Sequence, residues 1–165
     1  MRRTRFHERL RNVTALVLDV DGILTDAGMY YGPQGEVLKK FNTRDGMGLR
    51  LVREAGIQVA WITGEDSDIV RARAAKLKVG DLYTGVEDKL AALDQFLARI
   101  NASYEQVAYM GDDLNDLPPM GKVGVAITVP DADPTVLDVA RYVTKRRGGD
   151  GAVREVCNLL LSCRR

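Results

Sequence analysis

Short apolar runs, several rich in β-branched residues, alternate along this chain with longer stretches that read as helices. The first run, ALVLDVDGILT over residues 15–25, predicts a strand over residues 13–20. The pattern GMYYGPQGEVLKKF that follows predicts two short strands around the turn Gly32-Pro33-Gln34-Gly35. This hairpin carries Met29, Tyr30, Tyr31, Val37, Leu38 and Phe41, more apolar surface than an isolated pair of strands can use, so it needs something to pack against. Asn42, Thr43 and Asp45 are N-cap candidates for a helix through Leu49, Leu51, Val52 and Glu54, closed by Gly56. Residues 57–62 are apolar apart from Gln58 and read as a buried strand ending in Thr63-Gly64. A helix with a basic face (Arg71, Arg73, Lys76, Lys78) is predicted over residues 66–77, a short strand over 82–84, a helix over 88–100 and a strand over 107–110. Gly111-Asp112-Asp113 then turns into a short helix expected to break near Pro118-Pro119. A strand over 123–127, a helix over 134–140, a strand stub at 142–143 and a closing helix over 151–161 complete the pattern. The basic residues 1–12 read as a frayed segment or a short surface helix. Strands alternating with helices predict an α/β fold: a Rossmann-like parallel sheet in three layers, covered by helices on both faces, with the hairpin after strand one. Such sheets bind ligands beyond the carboxyl ends of their strands.

Composition narrows the field. The 165 residues predict one domain spanning the chain, with the 45% hydrophobic and 28% charged content of an ordinary globular protein. A net charge of +1 gives no argument for nucleic acid or an anionic membrane. No apolar run approaches a membrane span and the first residues lack an apolar signal core, so the expected location is cytoplasmic. Cys157 and Cys163 stand six apart without metal-ligand spacing, as ordinary thiols do. The single histidine, His7, lies in the basic leader. A catalyst built on this chain has to use carboxylates, lysine or a metal.

The carboxylates are placed for that. Asp19 and Asp21 stand two positions apart at the end of the first strand, so their side chains leave it on the same side. Two adjacent carboxylates repel unless a cation sits between them. The pair is either a solvated acidic turn or a reaction centre. The other strand ends favour the second reading, since they deliver Thr63-Gly64 and Asp112-Asp113, while Lys89 opens the helix after the third strand. An oxygen-only ligand set without histidine or cysteine suits Mg²⁺. With Lys89, Thr63 and backbone N–H groups available for phosphate oxygens, the implied chemistry is phosphoryl transfer.

DVDGILT, ITG, the isolated Lys89 and GDDLND stand in the order and spacing of the four motifs of the haloacid dehalogenase-like phosphatases, which this chain resembles over nearly its whole length. The resemblance implies that Asp19 is the nucleophile and Asp21 the general acid and base. It implies that Thr63 binds the transferring phosphoryl group and that Lys89 stabilises Asp19 and the phosphate. By the same resemblance Mg²⁺ is held by Asp19, the backbone carbonyl of Asp21 and Asp112, supported by Asp113 and Asp116. For Asp116 an exposed acid in a helical turn is an equal reading.

Neither interval that carries a cap domain in most of that superfamily is long enough here to hold one. A lone subunit would then leave its site open to water. The chain looks like the capless branch that assembles as a homotetramer through its hairpins, whose members hydrolyse phosphates of 2-keto-3-deoxy sugar acids. GMYYGPQGEVLKKFNTRDGMGLRLV and KRRGGDGAVREVC resemble its hairpin-helix and C-terminal signatures. The implied substrate is first an octulosonate 8-phosphate of lipopolysaccharide synthesis and second a nonulosonate 9-phosphate. Glu65 and Lys76 resemble the nonulosonate branch, although Glu65 as a helix cap and Lys76 as a solvated residue remain open readings. Arg146, Arg147 and Arg154 are candidates for the substrate carboxylate, reaching a neighbouring subunit's site, unless that basic run is solvated surface. Gly148, Gly149 and Gly151 suggest a mobile loop that tightens over substrate, and no long C-terminal tail is expected. Two competing classes remain. A signalling receiver domain is disfavoured because its acidic pair precedes the phosphorylated Asp by a strand and a helix. A non-catalytic assembly module is disfavoured by the intact Asp19, Asp21, Thr63, Lys89 and Asp112.

Overall fold

The computed structural model describes residues 2–164. Helix α1 (Arg2–Arg11) precedes strand β1 (Ala15–Leu18) and the hairpin of β2 (Tyr30–Gly32) and β3 (Gly35–Leu38). Helix α2 (Thr43–Glu54), β4 (Gln58–Ile62), α3 (Asp68–Lys76), β5 (Asp81–Tyr83), α4 (Lys89–Ile100) and β6 (Val107–Met110) follow. The chain closes with α5 (Leu117–Met120), β7 (Val125–Thr128), α6 (Pro134–Val139), β8 (Tyr142–Val143) and α7 (Ala152–Ser162).

Six strands form one sheet in the order β5-β4-β1-β6-β7-β8, every pairing parallel. The strand that opens the chain's acidic motif is thus central, with Leu18 level with Trp61 on one side and Met110 on the other. All residues of β1, β6 and β7 are buried, as expected when helices cover both faces. Because the strands run the same way, their carboxyl ends open at one edge, and the chain's polar motifs collect there.

The expected elements are present, with boundary shifts that have local causes. β1 stops at Leu18 because the carbonyl of Val20 already accepts from the N–H groups of Ile23, Leu24 and Thr25. α2 is capped by Asn42, whose side chain accepts from the Arg44 N–H. The expected helix break at Pro118-Pro119 does not occur. A 3-10 turn over Leu114–Asp116 passes into α5, and both prolines lie in its first turn, where a missing N–H leaves no helical partner unsatisfied. The residues 2–11 form a helix, the second of the two readings for that segment; Met1 lies outside the described residues.

Between β1 and β4 stand only the hairpin and α2, so nothing of domain size covers the sheet edge there. The hairpin is anchored at its root, where Thr25 bridges to Phe41 and the Phe41 ring stacks 6.4 Å from Trp61. Further out it is bare: Tyr31 and Leu38 are 65% and 62% exposed.

The glycine-rich segment before α7 corrects the expectation of a mobile loop. Gly148 and Gly149 are buried, and the Gly149 N–H donates to the Ile23 carbonyl at 3.1 Å. A Cβ on Gly148 would lie 1.7 Å from the Gly22 oxygen. These glycines are required by close approach to the turn after β1, which ties residues 148–149 to the acidic motif.

Candidate active site

The site starts from the end of β1. Asp19 still belongs to the sheet, its N–H donating to the Met110 carbonyl at 2.9 Å, and its side chain is almost wholly buried. The chain then turns over Gly22, at φ +93°, where a Cβ would lie 1.9 Å from Asp112 Oδ2. Only glycine lets the loops after β1 and β6 close on each other here.

Lys89 arrives from the opposite direction as the first residue of α4. Asp88 fixes that helix start by accepting from the N–H groups of Leu90 and Ala91, both at 3.0 Å. Lys89 Nζ lies 2.7 Å from Asp19 Oδ1 and 2.8 Å from Asp116 Oδ1, with all three side chains buried. Asp116 is therefore not the exposed acid that one reading allowed. Its Oδ1 also accepts from the Tyr109 hydroxyl at 2.8 Å, and its Oδ2 from the N–H groups of Asp112 and Asp113. Asp116 has four donors on two oxygens, so it acts as a strut holding Lys89 and the turn after β6.

Asp112 differs, since its Oδ1 is buried without any partner. Oxygens of Asp19, Asp112 and Asp116 lie within 4.8 Å of one another. Burial and the charge of Asp116 raise Asp19 well above the usual carboxylate range, against the pull of Lys89. Burial, then Asp116, pushes Asp112 up to about 7. Lys89 stays protonated: burial works against its charge, but Asp19 and Asp116 outweigh it and raise it above the ordinary lysine value. Three acids share one ammonium, and the deficit is of positive charge. An orphaned carboxylate oxygen in an oxygen-only cluster fits a hard divalent cation. Of the three acids, Asp19 and Asp112 have capacity left to bind it, because the oxygens of Asp116 are already engaged.

Thr63 ends β4 and is buried, its N–H donating to the Tyr83 carbonyl and its Oγ1 accepting from the Glu65 N–H at 3.3 Å. Asp19, Asp21, Thr63, Gly64, Glu65 and Lys89 surround a cleft of about 190 Å³, whose lining Asp113 and Asn115 complete. Glu65 does not cap α3, since Ser67 occupies the N-cap position; its exposed side chain faces the cleft region instead.

The basic candidates lie elsewhere in this chain. Lys76 is exposed on α3, beside a groove shared with α2. Arg146 and Arg154 line a separate groove of about 540 Å³ along α7, together with Arg44 and Lys145, and Arg147 is exposed nearby. None of the four lines the cleft.

Three residues at the site escape sequence reasoning. Tyr109 reads as strand core, and only its hydroxyl contact with Asp116 shows otherwise. Asn115 carries no spacing signal of its own. Lys39 hides in the polar end of the hairpin, yet its Nζ lies 2.7 Å from Asp21 Oδ1. A lysine between Leu38 and Lys40 gives no pattern from which that contact could be read.

Comparisons with known proteins bear on this geometry. A family model described as haloacid dehalogenase-like hydrolase matches residues 56–156, which include Thr63, Lys89 and Asp112 but not Asp19. The chain is 48% identical over 154 residues to the 3-deoxy-D-manno-octulosonate 8-phosphate phosphatase of Yersinia pestis, covering 93% of this chain and 82% of that protein. The crystal structure of the phosphatase of that name from Yersinia pestis superposes with a TM-score of 0.94 at 46% identity, over 97% of this chain and 86% of that one. The Moraxella catarrhalis phosphatase of the same name, solved in complex with a magnesium ion, a phosphate ion and a KDO molecule, superposes with a TM-score of 0.93 at 37% identity, over 97% and 92% of the two chains.

Proposed function

The chain belongs to the haloacid dehalogenase-like hydrolases, and from that premise we propose that it is a Mg²⁺-dependent phosphatase that hydrolyses 3-deoxy-D-manno-octulosonate 8-phosphate. The observation that carries the reaction type is the convergence of Asp19, Asp21, Thr63 and Lys89 on one cleft at the carboxyl edge of the sheet. The substrate rests on the 48% identity to the octulosonate phosphatase over 93% of the chain.

In this mechanism Asp19 attacks phosphorus and forms an aspartyl-phosphate. Lys89 neutralises Asp19 and, held by Asp116, stays fixed as charge shifts onto the phosphoryl oxygens. Thr63 holds the transferring group in line. Asp21 gives its proton to the departing alcohol and later takes one from the attacking water, after which the Asp19 carboxylate is released. Asp19, the Asp21 carbonyl and Asp112 would hold Mg²⁺, which supplies charge neutralisation for the nucleophile and phosphate. Asp113 supports the turn after β6 from its exposed position, accepting from the Leu114 N–H at 2.7 Å.

The working unit in this reading is a single hydrolase domain assembled as a homotetramer. A cleft of about 190 Å³ is smaller than the ~300–1,000 Å³ of typical small-molecule sites, so it suits the phosphate end of the substrate. The hairpin bares Met29, Tyr30, Tyr31, Val37 and Leu38, an apolar surface suited to another subunit. A neighbour seated there would bring further residues over the mouth. Lys76, Arg146, Arg147 and Arg154, which do not reach the cleft of their own chain, are the basic residues available for the substrate carboxylate. The two free cysteines accord with a reducing cytoplasm.

The test is phosphate release with and without Mg²⁺ from a panel of the octulosonate 8-phosphate, a nonulosonate 9-phosphate and simple sugar phosphates. A clear preference for the first is the expected result. Glu65 at the cleft is the observation that favours the second substrate, and preference for the nonulosonate would make it the specificity residue. Release from none of them, with Mg²⁺ bound, would leave the chain as an assembly module.

A further inference from the structure

Lys39 follows β3 directly and its side chain is fully buried. Its ammonium donates to Asp21 Oδ1 at 2.7 Å and pairs with Glu36 Oε1, also at 2.7 Å. Glu36 is itself moored, since its Oε2 accepts from the Ser67 hydroxyl at 3.1 Å, and Ser67 is the N-cap residue of α3. The Thr25 hydroxyl stands 3.4 Å from the same Asp21 Oδ1. By contrast Asp21 Oδ2 is buried and has no partner. One oxygen of this carboxylate is therefore held from the hairpin and from the turn after β1, and the other is unclaimed.

A buried ammonium is costly to retain for packing alone. Asp21 gains from it what a proton-transfer group needs, a fixed rotamer. We propose that Lys39 is a positioning residue for the acid–base step: by clamping Asp21 Oδ1 it fixes the rotamer of the carboxyl that exchanges the proton. This inference rests on the reading of Asp21 given above. In the first half-reaction an Asp19 oxygen bonds to phosphorus while the bond from phosphorus to the ester oxygen breaks. The electron pair stays on that oxygen, which takes the proton from the Asp21 carboxyl. In the second, water bonds to phosphorus, its proton passes to the Asp21 carboxylate, and the bond from phosphorus to Asp19 breaks to restore the carboxylate.

The experiment compares two esters with Lys39→Met, Lys39→Arg and the parent protein, using kcat/KM, which counts only the steps through release of the alcohol. The octulosonate 8-phosphate releases an alkoxide that needs a proton, whereas p-nitrophenyl phosphate releases a phenolate that does not. Lys39→Met is expected to lose about 100-fold on the sugar ester, with a loss on the aryl ester of less than about threefold. Lys39→Arg, which keeps a donor, is expected to recover to within about tenfold of the parent on the sugar ester. Equal losses on both esters would make Lys39 merely structural and overturn the proposal, as would no loss on either. Should Lys39→Met fail to fold because two partly buried acids lose their counter-charge, Glu36→Gln combined with Lys39→Met is read against the same criteria. Asp19→Asn is measured alongside. Turnover retained in Asp19→Asn would remove the catalytic reading as a whole, whereas an inactive Asp19→Asn beside a parent-like Lys39→Met would remove Lys39 alone.

Discussion

The mouth of the sheet and the hairpin beside it invert the usual distribution of residues. At the mouth, charged side chains are buried: Asp19, Lys39, Lys89 and Asp116 have almost no exposure. On the hairpin, large apolar side chains are exposed, Tyr30, Tyr31, Val37 and Leu38 among them. Both arrangements oppose stability, one by desolvating charge and the other by leaving apolar surface wet. Each makes sense as half of a function. The first positions groups for chemistry and the second offers a surface to a partner. The two are physically joined, because Lys39, just after β3 and paired with Glu36, reaches Asp21 at the mouth.

The largest expected effect breaks the mouth. Asp19→Asn removes the proposed nucleophile with little change in volume, and turnover should fall on the order of 10⁴–10⁶-fold. Because it also relieves a crowd of buried like charges, its thermal midpoint should equal or exceed that of the parent. An inactive variant of lower stability would mean that Asp19 serves the scaffold as well. The next effect breaks the hairpin. Tyr31→Asp places a charge at a side chain that is 65% exposed, so the isolated subunit should fold normally while the proposed assembly weakens. Truncating an interface hot spot costs about 2 kcal/mol or more, enough to shift the oligomer seen by sedimentation. Activity on the sugar acid should fall more than activity on a small generic ester. Unequal assembly with equal activity on both would show that a neighbour does not complete the cleft.

How far these regions were legible in the sequence differs for a physical reason. Asp19, Thr63, Lys89 and Asp112 follow strand ends or open a helix, so once the strands are placed their convergence follows from parallel topology. The hairpin was legible from its turn residues and apolar pattern. Lys39 was not, because its partner Asp21 is distant in sequence and the contact depends on how the hairpin folds back over the turn. Nor could Gly148 be read. Glycine permits both mobility and close approach, and only the carbonyl of Gly22 against it decides between them. The positions of Lys76, Arg146 and Arg154 away from the cleft show the remaining gap: spacing along a helix or loop gives chemistry, but not which site that chemistry serves.

A buried charge outside the lining of the cleft sharpens the comparison and carries the smallest expected effect on turnover. Asp45, in the first turn of α2, is buried against α7 and accepts from the Arg154 N–H at 2.7 Å, while its Oδ2 has no partner. Burial raises it from the usual value to about 6, with the N–H groups of Arg154 and Gly151 opposing that shift. A carboxyl raised in the folded state binds its proton more tightly there than in the unfolded chain. Its contribution is therefore fully present below about pH 4 and is lost as pH rises to about 6, beyond which it is flat. Asp45→Asn should leave turnover unchanged and remove this part of the slope, so the difference in thermal midpoint between variant and parent should favour the variant increasingly from about pH 4 to about pH 6. Taking the difference cancels the acids of the mouth, which both proteins share. A pH-independent difference would show that the N–H groups hold Asp45 ionised throughout. Lost turnover would tie the α2–α7 contact to the active site, and burial of charge alone would then mark function beyond the mouth.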